Sequence, residues 1–145
     1  MHLNNGYEII LSAILANFIA QFYKFIVFLI KYKKLNFKRL FQTGDMPSSH
    51  SSFMMAMATS TGLIAGFKSV SFAVALTIAL VVMYDAAGLR RAVGKQAEVI
   101  NQIVSEIFSE HPHLNSQKIK ELLGHTPIEV FVGAVLGICI SLWIH

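Results

Sequence analysis

Four apolar runs leave this chain little choice of fold. The first, about Glu8 to Ile30, has 23 residues. At roughly 1.5 Å rise per residue a helix of that length reaches about 34 Å, enough to cross a hydrocarbon core of about 30 Å with some tilt. Charge follows this run and no small-residue cleavage site appears, so it reads as a spanning helix and not as a signal peptide. The second (Ser51 to Phe67) and third (Val70 to Ala87) are separated only by Lys68 and Ser69 and predict a helical hairpin; the fourth runs from about Pro127 to Ile144. Hydrophobic residues make up 54% of the 145 positions and charged residues only 14%, whereas a soluble domain carries about a quarter charged. The expected fold is all-α: a polytopic membrane helical bundle of about four spans plus an amphipathic helix, with residues 1–145 forming one integral membrane domain.

The amphipathic helix is predicted over RAVGKQAEVINQIVSEIF, between the third and fourth runs. Val93, Ala97, Ile100, Val104 and Ile107 recur at three and four, while Arg91, Lys95, Glu98 and Gln102 line another face. Such a helix lies on the bilayer or caps the bundle. SEHPHLNSQK then reads as a turn and Lys118 to Leu123 as a short return helix. The net charge of +4 is too small and scattered for a nucleic-acid partner, and its densest cluster, KYKKLNFKR, follows the first run as a membrane-surface signal. The positive-inside rule puts that loop in the cytoplasm, so the expected location is the plasma membrane of a bacterium with both chain ends outside. Whichever side it is, the loop before the second run and the loop before the fourth share it. The single cysteine, Cys139, excludes an internal disulfide and a cysteine-based metal cluster, and His111 with His113 is too little for a metal site.

Chemistry-bearing residues concentrate in those two loops. In GDMPSSHSS, Pro47 is favoured in a first helical turn, so Ser48, Ser49 and His50 open the second span, where free N–H groups and a partial positive charge favour an anion. A serine or Asp45 acting only as a helix cap is the plainer alternative. In DAAGLRRAVGK, Arg90, Arg91 and Lys95 bring three cations to the end of the third span, suited to phosphate oxygens or equally to anionic headgroups. In GHTPIEV, Thr126, Pro127 and Glu129 have capping-box spacing, which explains Glu129 but not His125. Asn17, Gln21 and Lys24 form one polar stripe in the first span; a lysine there costs about 2.5 to 3.5 kcal/mol on insertion scales and should face the bundle or snorkel.

PSSH and HTPIE resemble the PSGH and H-x-x-x-D elements of the type 2 phosphatidic acid phosphatase superfamily, which also contains the vanadium-dependent haloperoxidases. The wider pattern, GDMPSSHS, then DAAGLRRAVGKQAEVIN, then LGHTPIEVFVGA, is similar to its divergent membrane branch, the acid phosphatase/vanadium-dependent haloperoxidase-related family, over roughly Gly44 to Gly137. The resemblance implies that His125 attacks phosphorus, that Glu129 orients it in place of an aspartate, that His50 protonates the leaving oxygen, and that Ser49 bonds a phosphate oxygen. Two elements of the superfamily are missing: K-x-x-x-x-x-x-R-P upstream of PSSH, and S-R at the usual spacing before His125. Arg90, Arg91 and Lys95 are the candidates to supply that positive charge.

The expected function is a membrane-embedded phosphatase that hydrolyses a lipid-linked or membrane-proximal phosphomonoester through a phosphohistidine-type mechanism, with no metal and no cofactor. Catalysis is expected from His125, His50 and Glu129, phosphate binding from Ser48, Ser49, Arg90, Arg91 and Lys95, with Asp85 and Lys24 as further candidates. The alternative is a non-catalytic phospholipid-binding or scaffold membrane protein. Gly62 with Gly66, and Gly133 with Gly137, have the spacing of close helix contacts or of a homo-oligomer face.

Overall fold

A computed structural model describes residues 6–33, 46–110 and 125–145, with the backbone alone at 89–91 and 106–110. Among the described residues five helices follow in order: α1 (Gly6–Tyr32), α2 (Ser49–Ala65), α3 (Val70–Ala87), α4 (Leu89–Glu110) and α5 (Pro127–Ile144). The basic loop after α1, Gly44 and Asp45, the turn with His111 and His113, and the expected return helix at Lys118 to Leu123 lie outside the described residues.

Each helix boundary has a local cause. α1 carries Glu8 in its first turn and Lys31 in its last, complementing the helix dipole. Ser48 caps α2 by accepting from the Ser51 N–H. Pro47 therefore stands one residue ahead of the cap and not in the first turn, so the helix opens slightly later than the proline predicts. α2 ends at Gly66, whose φ of 90° is open to glycine and strained for other residues. Ser69 then caps α3 through the Phe72 N–H. α3 passes into α4 at Gly88, whose N–H still reaches the Tyr84 carbonyl.

Contacts fix the directions. Ser49 meets Gln21 and Lys24 of α1, and further along Ser52 meets the Ala16 carbonyl, so α1 and α2 are antiparallel. Ser48 meets Glu129 near the start of α5, and Ser60 meets His145 beyond its end, so α2 and α5 run parallel. The end of α1 and the starts of α2 and α5 consequently lie together. The hairpin returns α3 to the same end, and the chain ends at Glu8 and His145 meet at the other, 3.4 Å apart.

α2 is the central helix, packed on α1, α3 and α5, while α4 packs on α3 and on no other described helix. The α2–α5 contact is close because a Cβ at Gly133 would strike the Ser48 carbonyl, and one at Gly137 the Ser52 carbonyl and the Ala56 nitrogen. The interior is built of small residues: Ser12, Ser48, Ser49, Ser51, Ser52, Ser60, Ala16 and Ala56 are all fully buried. Large apolar side chains such as Phe18, Phe22, Val74, Phe131 and Trp143 point outward, the arrangement that suits lipid. α1, the stretch Val70–Ser105 that begins with α3, and α5 are long and apolar enough to cross a membrane. Among the described residues these three apolar stretches pack around α2, a 17-residue helix with serine and threonine along its buried faces. Helical membrane architecture holds, but the second span owes its place to neighbouring helices more than to lipid.

Of the two readings of the paired glycines, Gly133 and Gly137 follow the close-contact one, within the chain; Gly62 faces the rings of Phe67 and Phe72, and Gly66 serves the turn with open space around it. On α4, Ala97 is buried together with Gly94 and Asn101, but Val93, Val99, Ile100 and Ile103 are exposed. Among the described residues, one edge of its apolar stripe is covered.

Candidate functional site

The opening of α5 supplies the best-defined group. Thr126 caps the helix by accepting from the Glu129 N–H at 3.3 Å, and Glu129 returns the bond, its Oε2 accepting from the Thr126 N–H at 3.1 Å. The same Oε2 lies 3.1 Å from His125 Nδ1. One carboxylate oxygen therefore completes the capping box and holds the imidazole, which is 5% exposed. With the Nδ1 proton directed at Glu129, the Nε2 lone pair is available to act as a base or nucleophile.

The opening of α2 is fastened to this group by a backbone bond, Ser48 N–H to the Glu129 carbonyl, 3.0 Å. Ser48 is occupied as the cap, its hydroxyl accepting from Ser51 Oγ at 2.9 Å as well as from the Ser51 N–H. Ser49 is buried, and its hydroxyl oxygen receives Gln21 Nε2 at 3.1 Å and Lys24 Nζ at 3.3 Å. Its own hydroxyl proton remains to be donated. His50 follows on the first turn of α2 and is exposed. Lys24 is 8% exposed and so faces the bundle, one of the two placements open to a lysine in a span.

The expected cations are arranged differently. Arg90 and Arg91 stand on the first turn of α4, with side chains outside the described set, and Lys95 is exposed beside Val99 and Ile100. Among the described side chains Lys24 is brought against the α2 opening, its Nζ 3.3 Å from Ser49 Oγ, whereas α4 touches α3 alone among the described helices. Asp85 is half-buried in the last turn of α3. Of the polar stripe read in the first span, Gln21 and Lys24 both meet Ser49, their spacing of three placing them on one helix face.

A second polar group lies at the far end. Ser60 Oγ is 2.6 Å from His145 Nε2, and His145 Nδ1 is 3.4 Å from Glu8 Oε2. The order resembles a Ser-His-acid relay, but Ser60 is completely buried, so the group ties α1, α2 and α5 together. No cluster of three or more metal-ligating side chains occurs among the described residues.

The model of the divergent PAP2 family matches residues 5–140, both histidine-bearing openings included. The chain belongs to the divergent PAP2 family. It is also 40% identical to the uncharacterized membrane protein YuiD of Bacillus subtilis (strain 168), over 92% of this chain and 90% of the relative. No solved structure matches. Membership in the divergent PAP2 family makes the chain a phosphatase-related membrane protein, and the match starts within a residue of α1.

Proposed function

We propose that the protein hydrolyses a phosphomonoester carried by a membrane lipid or held close to the membrane, without a metal ion. His125 Nε2 attacks phosphorus in line, forming an N–P bond as the P–O bond to the alcohol breaks. Glu129 holds the Nδ1 proton and stabilises the cation that forms, and His50 gives its proton to the departing alkoxide. Water then cleaves the phosphohistidine, returning a proton to His50 and releasing inorganic phosphate. Ser49 and the N–H groups at the α2 opening hold non-bridging oxygens, joined by cations from Lys24, Arg90 and Arg91. The observation that carries this reading is the His125–Glu129 contact bonded to the opening of α2. The cytoplasmic face of a bacterial plasma membrane is the proposed side, on the charge asymmetry across α1.

The test is phosphate release from a panel of lipid phosphates by detergent-purified protein, with and without chelator, and with two histidine variants. An alkyl oxygen needs a proton to leave, whereas nitrophenolate does not. His50→Ala should lose about 10²- to 10⁴-fold on a lipid phosphate and much less on an aryl phosphate. His125→Ala should be inactive on both. Equal losses for the two variants on both substrates would show that acid and nucleophile are misassigned. Absence of release from the wild type favours the second reading, a non-catalytic phospholipid binder.

A further inference from the structure

Two donors converge on one hydroxyl where α1 passes the opening of α2. Gln21 Nε2 and Lys24 Nζ both reach Ser49 Oγ, and Ser49 begins a helix whose first N–H groups carry partial positive charge. Positive charge therefore lies on both sides of Ser49, which favours an anion between them. Gln21 supplies a separate observation. Its Oε1 is buried and has no hydrogen-bond partner among the described residues, a costly state unless a donor arrives. A cation beside an orphan acceptor suits a ligand that presents anionic oxygens together with a hydroxyl, as a singly protonated phosphomonoester does.

From Lys24 a cleft of about 310 Å³ runs along α1, lined by Tyr23, Val27, Phe28, Lys31 and Tyr32. Lys31 lies two turns beyond Lys24 on the same side of the helix, its ammonium 5.5 Å from the Tyr32 ring centroid. Tyr23 and Val27 are exposed on the outer face of α1. Two lysines alongside an aromatic and aliphatic wall match a molecule that has an anionic head and an apolar remainder. A free inorganic ion would use the lysines and leave the wall idle.

We propose that Gln21, Lys24 and Lys31 of α1 hold the headgroup of a phosphorylated amphiphile, with Lys31 at the mouth of the cleft, the phosphate settling at Lys24, and the apolar part lying along Tyr23 and Val27. This rests on the phosphatase reading only for the step at His125; binding needs no turnover.

The test uses the full chain in dodecyl maltoside, titrated with orthovanadate and with dodecyl phosphate by calorimetry, in wild-type and His125→Ala protein. Dodecyl phosphate should bind at least tenfold more tightly than orthovanadate. Lys24→Met should weaken both at least tenfold, and Lys24→Arg should restore most of the loss. Val27→Trp, which fills the cleft, should cut the advantage of dodecyl phosphate to under threefold. If Lys24→Met does not fold, Gln21→Glu puts a carboxylate beside the lysine and should lower both affinities about tenfold. Equal binding of the two probes by the wild type, or unchanged affinity for dodecyl phosphate in Lys24→Met or Gln21→Glu, overturns the proposal. The expected binding pattern without phosphate release upholds the amphiphile site and removes the phosphatase reading; release with binding insensitive to Lys24 does the reverse.

Discussion

At the scale of single residues, Glu129 combines two tasks on one oxygen, and substitution can separate them. Thr126→Ala removes the cap and should cost about 1 kcal/mol of stability, read as a lower melting temperature, with turnover within a few-fold of wild type. On the proposed mechanism Glu129→Gln keeps an acceptor for the Thr126 N–H but removes the charge that would stabilise imidazolium, so turnover should fall about 10²- to 10⁴-fold with a small change in stability. A Glu129→Gln enzyme with full turnover would reduce the carboxylate to a cap. The capping box was legible in HTPIE because it depends on spacing within one turn. The contact with His125 was implied only by resemblance, since a residue ahead of the cap has no helical period to place it. Lys24 was legible as a cost to be explained, while its partner Ser49 lies 25 positions away and no local pattern could have joined them.

At the scale of helices, the glycines differ in kind. Gly137 borders the α2 backbone, which cannot yield, so Gly137→Val should destabilise the bundle by about 3 kcal/mol or more. Gly66 has open space around it and suffers only its positive φ; Gly66→Ala should cost about 1 kcal/mol. Gly62→Ala should fall lowest if the Phe67 ring swings aside. Thermal unfolding in one detergent ranks the three, and a Gly137→Val protein as stable as Gly66→Ala would mean that α2 and α5 are less tightly apposed. Helix existence and limits were readable from apolar length and caps, so α3 and α5 fall where the sequence placed them. The central position of α2 was not, because its small residues make a weak apolar signal while permitting the closest backbone approach.

At the scale of the whole molecule, helix direction makes a prediction about sidedness. The end of α1 and the start of α4 lie at the site end, and the α2–α3 turn at the other. In a Cys139→Ser background, Lys33→Cys and Lys95→Cys should react with an impermeant thiol reagent only after the membrane is opened, whereas Lys68→Cys should react in sealed cells. Labelling of Lys33→Cys and Lys68→Cys from the same side would break the antiparallel arrangement on which the shared site depends.

The small, polar-faced α2 also has a consequence for how the protein is made. α2 leaves the ribosome when only α1 is available to cover it, and the glycines that accept its other flank follow about eighty residues later. Until they arrive, its serines would face lipid or the insertion machinery. α3, joined to it by a tight turn and strongly apolar, is suited to carry it into the bilayer as one hairpin. Biogenesis of this protein is therefore a matter of escort: a small-residue passenger with polar faces enters with a greasier companion, and only the late arrival of α5 closes the seam and brings His125 and Glu129 to the α2 opening.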